Sequence, residues 1–491
     1  MAALRVVARL SGLASTLLLA RLLTPSDFGL VALAFSVAQG IELLSVFGTE
    51  DAVIRHSSPN RAVYNAAFTL GLMRAIATAI IVAALAWPIS LYFAEPRLAP
   101  VMLALAAATA ISGCRNIGVV DFRRDLQYKF EFKLRVVPRL LSVAATLLVA
   151  VTIQSYWAIV IGTVTDRVAG LALSYWLHQF RPRLSQSAWR DITGFSLWIW
   201  AIGVVWMVRD RIATLVTGQV LGTRAVGILS IATEVSVVPL TELLIPLAGT
   251  LFPALSRMNG DLRATTDFYL RCLGAATLFA LPAGIGLALV AEPVIFLMLG
   301  SKWLDTIPIV QLAAACAPFA AISFVTGALF YAHALMQTAF RISIIVTTLR
   351  VLLCIGLVQN LGLIGVVIAV VLTDALDQAL SLWVACRRFH IPARAVLARL
   401  WRPVLGSLVM AAAILLIGPG HRAPETDTIA LIVALLAAVT LGAMVFVGSV
   451  AALWLISGRP NGAETDLWTL ARITLSGLRS RRRPDPRDAA W

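Results

Sequence analysis

The chain has 491 residues, of which 60% are hydrophobic and 13% are charged, and its formal net charge is +15 at pH 7. Apolar segments occupy it almost from end to end, and most reach the length of about 20 residues that a helix needs to cross a bilayer. The connections are too short to hold a soluble domain, and the longest soluble stretch is the C-terminal tail at 458–491. The composition therefore predicts an all-α integral membrane protein and excludes a separate soluble catalytic domain.

Fourteen apolar segments are predicted to span the membrane, so about 14 transmembrane helices are expected. The last of them carries no charged residue between positions 428 and 457. In chain order, the segments are residues 4–23, 28–49, 63–93, 98–120, 134–153, 156–178, 191–221, 226–255, 267–290, 305–331, 342–357, 362–385, 403–418 and 428–457.

Basic residues alternate between the connections. If the N-terminus is cytoplasmic, the connections and tail on that side contain 24 lysine and arginine residues, whereas those on the opposite side contain 4. Cytoplasmic loops retain lysine and arginine during insertion, so a multi-pass protein with both termini in the cytoplasm is predicted. Basic loops beside anionic lipid explain the net charge, and the predicted partner is the lipid bilayer rather than a nucleic acid.

Residues that could carry catalysis or hold a metal are scattered through the chain. The five cysteines show no CxxC spacing, and the five histidines lie in loops or near the ends of apolar segments. The sequence has no HExxH, Walker A or GxSxG motif, and these patterns indicate zinc, nucleotide or acyl-transfer chemistry. We therefore expect a protein that is not an enzyme, with no catalytic residue, metal site or cofactor.

A weak internal repeat relates the first and seventh apolar segments. Ala20–Ala34 reads ARLLTPSDFGLVALA, and Gly218–Ala232 reads GQVLGTRAVGILSIA. An offset of 198 residues pairs identical leucine, glycine and alanine residues, including Gly29 with Gly227. Six segments separate the copies, and an even number keeps them in the same orientation. This spacing predicts two parallel six-helix halves that enclose a central cavity and alternate its access.

The repeat also predicts the domain organisation. The N-terminal six-helix half covers residues 1–190, and the C-terminal six-helix half covers residues 191–390. Two additional transmembrane helices are expected at 391–457. A basic cytoplasmic tail follows at 458–491, and its prolines make it a poor candidate for a folded segment.

Arginines inside the apolar segments are candidates for substrate binding. A charge within a span is costly and usually faces a bundle interior or a water-filled cavity. Arg209 and Arg211 are surrounded by apolar sequence, whereas Arg21 and Arg9 lie near the outer and inner ends of the first segment. The guanidinium fork suits phosphate, so these residues predict a cargo that carries phosphate or diphosphate. The alternative is that each arginine extends to the interface or pairs with a carboxylate.

Other ionisable residues at membrane depth are candidates for ion coupling. Asp374 and Asp377 lie three residues apart on one helix face, where two crowded carboxylates can share a proton or hold a sodium ion. Pairing with Arg350 or a neighbouring helix is the alternative. The predicted ion-coupling residues are Asp374, Asp377, Glu234 and Asp166, and further arginines within or at the ends of segments are Arg74, Arg115, Arg135, Arg139 and Arg167. Pro239 and Pro246 are predicted to kink the eighth segment and to act as a hinge.

Four stretches have the character of known motifs, namely Ala20–Ala34, Asp121–Leu126 (DFRRDL), Arg209–Met258 and Leu281–Trp303 (LPAGIGLALVAEPVIFLMLGSKW). They resemble the bacterial oligosaccharide flippases of the polysaccharide-transporter family, and the resemblance covers about residues 1–385. These Wzx-type proteins share a superfamily with the multidrug exporters of the MATE type and with the lipid II flippases. The resemblance implies the MATE-like fold of two six-helix halves.

The resemblance also implies a function. Such flippases move undecaprenyl-diphosphate-linked oligosaccharide repeat units across the bacterial inner membrane, for exopolysaccharide or lipopolysaccharide biosynthesis. The sugar would cross through the central cavity by alternating access while the lipid tail stays in the bilayer. Lipid II flippases have a functional arginine at a position resembling Arg21, which implies a diphosphate-binding role for Arg21. Polysaccharide polymerase and export proteins are the protein partners that the resemblance implies.

Two other functions are compatible with a polytopic membrane protein. A cation-coupled multidrug or metabolite exporter of the MATE type is expected to have mainly acidic residues in its cavity, whereas arginines outnumber carboxylates among the membrane residues here. A membrane-embedded glycan polymerase or ligase typically carries a large periplasmic loop, and the longest outer connection, 291–304, has 14 residues. The flippase is therefore the preferred interpretation.

Overall fold

The computed structural model describes residues 12, 15–44, 53–54, 60–185, 197–258, 260–417, 428–460, 462–466 and 469. Within these ranges the backbone is almost entirely helical and contains no β-strand. Large apolar side chains such as Trp87, Trp176 and Leu416 are exposed on the helices, as expected where lipid replaces water around a helical bundle. The predicted fold class, an all-α integral membrane protein, is confirmed.

In chain order, the helices are α1 Pro25–Leu44, α2 Arg61–Tyr92, α3 Leu98–Gly113, α4 Asp121–Arg124, α5 Tyr128–Ile153, α6 Trp157–Leu177, α7 Leu197–Arg257, α8 Leu262–Leu289, α9 Ala291–Leu299, α10 Ile307–Ala315, α11 Ala317–Ala332, α12 Met336–Arg388, α13 Ala393–Ile417 and α14 Thr428–Ile456. Residues 15–22 are also helical and precede α1. Side-chain caps start two of the spans, since Asn60 accepts from the Val63 amide at 3.1 Å and Asp261 accepts from the Ala264 amide at 3.0 Å. These caps satisfy amides that have no partner within the helix.

Two of the helices are too long to be single spans. Helix α7 has 61 residues and α12 has 53, which at 1.5 Å per residue is about 80–90 Å, against a hydrocarbon core of about 30 Å. Each is interrupted by a glycine with positive φ, Gly222 at 79° and Gly362 at 58°, a conformation that glycine adopts without steric cost. Each therefore contains two consecutive apolar segments that join at the glycine.

The helices give a range for the number of membrane spans rather than a single value. Among the described residues, nine helices are long and apolar enough to cross a membrane, and eleven if two bent pairs each count as one span. The first predicted segment, 4–23, lies mostly outside the described residues. The count of 14 transmembrane helices therefore stays a prediction.

Three predicted elements are less regular in the structure than the apolar pattern indicates. The fourth predicted segment, 98–120, is not one straight span, because α3 ends at Gly113 and the chain turns by 74° into Ile117–Arg124. Connection 291–304, predicted as a loop, is helical in α9. The predicted span 305–331 is divided into α10 and α11, where a proline in the first turn of α11 removes a backbone donor from the preceding turn.

The chain forms two compact units, a first unit of residues 1–231, 298–306 and 343–370 and a second unit of residues 232–297, 307–342 and 371–491. In the first unit, α1, α2 and α3 pack around the fully buried side chains of Leu30, Leu33, Val82, Leu98 and Met102. Buried alanines lie between these large side chains. Close packing of this kind holds helices together in a bilayer, where lipid is as apolar as the protein interior.

In the second unit, α8 packs against α11, α13 and α14. The buried hydroxyl groups of Tyr269 and Thr326 lie 2.9 Å apart and join α8 to α11. After α14, the Glu464 carboxylate forms an ion pair with Arg402 of α13 at 2.8 Å. An apolar groove of about 1020 Å³ lies along α8, α13 and α14.

Candidate functional site

The two copies of the internal repeat meet at one close helix crossing in the first unit. A Cβ atom on Gly29 of α1 would overlap the carbonyl oxygen of Thr223, and a Cβ atom on Gly227 of α7 would overlap the carbonyl oxygen of Pro25. The offset of 198 residues converts Gly29 into Gly227 and Pro25 into Thr223, so the two contacts are equivalent. The crossing therefore has local two-fold symmetry, and it depends on two glycines as close helix pairs in membranes often do.

Polar contacts surround this crossing at what we call the turn end, which comprises residues 20–28, 94–98, 222–227 and 298–305. The hydroxyl groups of Ser26 and Thr223 lie 2.9 Å apart. Trp303 is fully buried and donates its indole N–H to the carbonyl oxygen of Ala20 at 2.8 Å. These bonds tie the start of α1 to the middle of α7 and to the chain that follows α9.

Arg21 also lies at the turn end. Its side chain is exposed, and its Nε donates to the carbonyl oxygen of Met298 at 3.3 Å. Its own carbonyl oxygen accepts from Lys302 at 3.3 Å. The side chain of Arg21 is therefore among exposed polar groups, while Arg9, the other candidate of the first segment, lies outside the described residues.

A neighbouring ion pair completes the turn end. Arg97 donates from Nε to Glu95 at 2.8 Å, and its side chain is 44% exposed, against 16% for Glu95. The hydrogen bond from Arg97 holds the pKa of Glu95 below its usual range, and burial opposes it. This carboxylate therefore stays charged to lower pH than an isolated glutamate does.

Arg209 and Arg211 belong to a second group of charges, in the first part of α7, which we call the arginine cluster together with Arg350. Arg211 donates to the side-chain oxygen of Gln39 on α1 at 2.7 Å, and Arg350 on α12 donates to the carbonyl oxygen of Arg209 at 3.4 Å. Arg350 is buried, with 5% exposure. Arg211 lies 11 residues from the break at Gly222, or about 16 Å at 1.5 Å per residue. Arg209, Arg211 and Arg350 therefore lie close together and well inside α7 and α12.

A third group of charges lines a cavity of about 480 Å³ in the same unit, which we call the arginine cavity. Its charged lining consists of Arg74, Arg115, Arg123, Arg135 and Arg167 with Glu42, Glu131 and Asp166. Glu131 is buried and pairs with Arg135 at 2.6 Å and more distantly with Arg123 at 3.9 Å. The walls come from the end of α1, the first half of α2, the end of α3, the start of α5 and the second half of α6.

The candidate ion-coupling residues are divided between the two units. Asp166 lines the arginine cavity in the first unit. Asp374 and Asp377 belong to the second unit, one turn apart on α12, and the buried Asp377 accepts from Gln378 at 3.1 Å. Glu234 is exposed on the second part of α7. The coupling role of these four residues stays a prediction.

The two hinge candidates lie in the second part of α7. The backbone is helical through both Pro239 and Pro246, although each proline removes one hydrogen bond from the helix. The hinge role stays a prediction. Among the described residues, no three histidine, cysteine or acidic side chains are grouped in a way that could hold a metal ion.

The arginine cavity is the feature that sequence reasoning missed. Arg74, Arg115, Arg135 and Arg167 were recognised as charges in or at the ends of spans, but nothing in the sequence indicated that they converge. The available signal was the depth of Arg74 and Arg167 within their apolar segments, because a charge at that depth needs an internal cavity.

The arrangement of these helices is similar to that of two solved membrane proteins. The structure is similar to that of the lipid II flippase MurJ in an inward closed conformation, with a TM-score of 0.73 and 16% identity over 94% of this chain and 100% of that one. It is also similar to an inward-facing multidrug resistance transporter of the MATE family in the MOP superfamily, with a TM-score of 0.62 and 16% identity over 78% of this chain and 94% of that one. The predicted MATE-like fold is confirmed.

Residues 18–308, more than half of the chain, match the model of the family described as polysaccharide biosynthesis protein, and the chain belongs to this family. It is 24% identical over 381 residues to the lipopolysaccharide biosynthesis protein WzxC of Escherichia coli K12, which covers 76% of this chain and 77% of the relative. It is 21% identical over 299 residues to the succinoglycan biosynthesis transport protein ExoT of Rhizobium meliloti, which covers 60% of each chain. The predicted family resemblance is confirmed.

Proposed function

We propose that this protein is a flippase for undecaprenyl-diphosphate-linked oligosaccharide repeat units in the bacterial inner membrane, where it serves exopolysaccharide or lipopolysaccharide biosynthesis. The arginine cluster carries the proposal, because it holds permanent positive charge at membrane depth in a member of the polysaccharide biosynthesis family. Arginine binds phosphate through a planar fork of donors, and diphosphate is the anionic part of such a lipid-linked sugar. The names of the two relatives, in lipopolysaccharide biosynthesis and succinoglycan transport, support the same cargo class.

The proposed mechanism is alternating access. The Gly29–Gly227 crossing closes the turn end, and the arginine cavity opens at the opposite end of the first unit. The diphosphate binds the arginine cluster while the oligosaccharide occupies the hydrated space beside it. The isoprenoid tail stays in lipid, for which the apolar groove along α8, α13 and α14 offers a surface of matching chemistry.

The remaining parts of the proposal come from the sequence. Both termini lie in the cytoplasm, because 24 basic residues fall on that side and 4 on the other. The six-helix halves 1–190 and 191–390 move against each other, with Pro239 and Pro246 as the hinge. Arg21 attracts the diphosphate at the turn end, and Arg9 does so near the inner end of the first segment. Asp374, Asp377, Glu234 and Asp166 couple the movement to an ion gradient, and a polysaccharide polymerase receives the flipped unit.

Polymer export in a strain that lacks the gene tests this function. Arg209→Gln combined with Arg211→Gln removes two charges, and we expect secreted polymer to fall about 100-fold, since charge-assisted hydrogen bonds contribute about 1.5–3 kcal/mol each. Arg271→Gln is the matched control, because Arg271 is half exposed on α8 and faces Asp466 only at 3.9 Å. Normal export by the double variant, at equal protein level in the membrane, would overturn the proposal.

A vesicle assay separates this function from drug export by a MATE-type protein. Purified protein is reconstituted, and transfer of a fluorescent polyprenyl-diphosphate sugar between leaflets is measured beside uptake of a cationic dye. We expect transfer of the lipid and no uptake of the dye. Uptake of the dye without lipid transfer would assign the protein to drug export instead.

A further inference from the structure

The function proposed above places the diphosphate at the arginine cluster and assigns no role to the arginines that line the arginine cavity. Its walls are the end of α1, the start of α2, the end of α3, the start of α5 and the end of α6. Successive spans run in opposite directions, so these five helix ends lie on the same side of the bilayer. That side carries the connections 50–62, 121–133 and 179–190, whose basic residues predict a cytoplasmic location.

Insertion topology alone does not explain the arginines of this cavity. Arg74 lies 13 residues into α2, which is about 20 Å from its start, and Arg167 lies 10 residues before the end of α6, which is about 15 Å. Loop arginines suffice to orient a membrane protein, whereas charges this deep cost free energy unless they face water or an anion. Among the described residues, neither the Arg74 guanidinium nor the Arg167 guanidinium has an ion-pair partner.

The charge and size of the cavity fit a doubly charged anion. Five guanidinium groups face three carboxylates, an excess of two positive charges, and the carboxylate of Glu131 is already engaged by Arg135 and Arg123. A diphosphate that is esterified at both ends carries two negative charges at neutral pH, one on each phosphoryl group. The volume of about 480 Å³ falls within the range of roughly 300–1,000 Å³ that is typical of small-ligand sites.

One face of α1 links the cavity to the arginine cluster. Gln39 accepts a hydrogen bond from Arg211 of the cluster at 2.7 Å, and Glu42 lines the cavity. Residues three apart lie on the same helix face and are separated by about 4.5 Å along the axis. An anion that leaves the cavity along α1 therefore meets the cluster within one helical turn.

We infer that the arginine cavity is a second diphosphate site, at the cytoplasmic end of the first unit, which receives the headgroup of the cargo before it moves along α1 to the arginine cluster. The inference rests on the proposed flippase function for the identity of the cargo. Arg74 and Arg167 bind the phosphoryl oxygens, Arg115 extends the positive lining, and Glu131 holds Arg135 and Arg123 at the rim.

Equilibrium binding to the full-length protein in nanodiscs tests the second site. The probes are radiolabelled farnesyl diphosphate and inorganic pyrophosphate, and farnesyl monophosphate is the control ligand. We expect two equivalents of farnesyl diphosphate to bind to the unmodified protein and one equivalent to bind to the Arg74→Gln/Arg167→Gln variant. Affinity at the altered site should fall roughly tenfold or more for each guanidinium removed. Arg271→Gln should still bind two equivalents.

The outcomes distinguish the second site from the proposed function. One equivalent in the unmodified protein, or two equivalents in the Arg74→Gln/Arg167→Gln variant with unchanged affinity, overturns the second site. If Arg209→Gln/Arg211→Gln exports polymer normally while Arg74→Gln/Arg167→Gln still loses one equivalent, the cluster proposal fails and the cavity stands as an anion site.

Displacement of the cavity-bound label by pyrophosphate supports recognition of the headgroup alone, and retention supports a ligand that includes the lipid. Arg74→Lys and Arg167→Lys are the folding controls, and each should have the same elution volume and melting temperature as the unmodified protein. If such a folded variant also loses the second equivalent of farnesyl diphosphate, the loss reflects the missing guanidinium fork rather than misfolding.

Discussion

At the turn end of the first unit, α1 and α7 cross so closely that Gly29 and Gly227 leave no space for a side chain, whereas at the opposite end five arginines surround a cavity of about 480 Å³. Backbone contact between small residues excludes water and cargo without any charge, and it can separate without leaving a charge unsolvated. Guanidinium groups attract an anion, and five of them share this lining with three carboxylates. This contrast supports the proposal that the turn end closes while the opposite end receives the cargo.

The largest effect of a substitution on polymer export is expected at the Gly29–Gly227 crossing, which we call the seal. Gly29→Ala and Gly227→Ala each place a methyl group on a backbone carbonyl, and overpacking of this kind costs about 1–3 kcal/mol, which lowers the population of the closed turn end by roughly 5- to 150-fold. A cysteine introduced at Thr24 in a cysteine-free background should then react faster with a membrane-impermeant thiol reagent, and polymer export should fall.

Gly203→Ala is the control for the seal, because no atom lies within 4 Å of a Cβ at Gly203. It raises the helix propensity of α7 in the same way as Gly227→Ala does. Unchanged thiol reactivity and normal export in both glycine variants would show that the crossing is not the seal.

The arginine cluster between the two ends is expected to give the next largest effect. Arg350→Gln removes a buried guanidinium that donates to the Arg209 carbonyl, and we expect polymer export to fall roughly tenfold, as the loss of one charge-assisted hydrogen bond predicts. Arg341→Gln, at an exposed position near the start of the same helix, should export normally. Equal export by both variants would remove Arg350 from the cluster.

A smaller effect on transport is expected at the arginine cavity. In the vesicle assay, Arg74→Gln/Arg167→Gln should raise the cargo concentration for half-maximal transfer by several-fold while the maximal rate changes little, because a loading site sets occupancy rather than translocation. Arg209→Gln/Arg211→Gln should lower the maximal rate instead. If the cavity variant lowers only the maximal rate, the two groups of arginines do not differ in role.

The smallest effect is expected for the ion pair at the turn end. Arg97 holds the pKa of Glu95 below its usual value, so the pair stabilises the fold above the pKa of an unfolded glutamate and loses that contribution as pH falls through the lowered pKa. Glu95→Gln should reduce stability at pH 7 by about 0.5 kcal/mol, as surface ion pairs do. Melting curves at pH 7 and pH 3 check this, and the difference between the variant and the unmodified protein should shrink at the lower pH.

The internal repeat shows what sequence could predict. The offset of 198 residues pairs Gly29 with Gly227 and places both after an equivalent turn. In the structure each glycine lies against the turn that precedes the other glycine. Equivalence follows from sequence because two related segments fold alike. The contact between the two glycine-containing turns does not follow from sequence. A helical pattern gives the position of a residue along the axis of its own helix, but not the point at which another helix crosses that helix.

For the arginines, too, the sequence predicts the position along a span but not the contacts. Hydropathy and charge predict that Arg209 and Arg211 lie inside a span. In the structure Arg211 donates to Gln39 of α1, and the Arg209 carbonyl accepts from Arg350 of α12. Their role in substrate binding stays a prediction. Hydropathy and charge place Arg21 near the outer end of the first segment, and in the structure it lies among exposed groups at the turn end. The sequence predicts Arg350 as a partner for Asp374 and Asp377, and the structure shows that it is buried and donates to the Arg209 carbonyl.

The sequence by itself determined that this chain is an all-α membrane protein, because the bilayer constrains apolar length and backbone hydrogen bonding along the chain. It also predicts basic connections on one side and two related segments in one orientation. Only the tertiary structure decided that Arg74, Arg115 and Arg167 from three separate segments line one cavity, and that Gly29 meets the turn before Gly227. Those arrangements depend on which helices pack together, and packing between apolar helices is set by the shapes of side chains far apart in sequence.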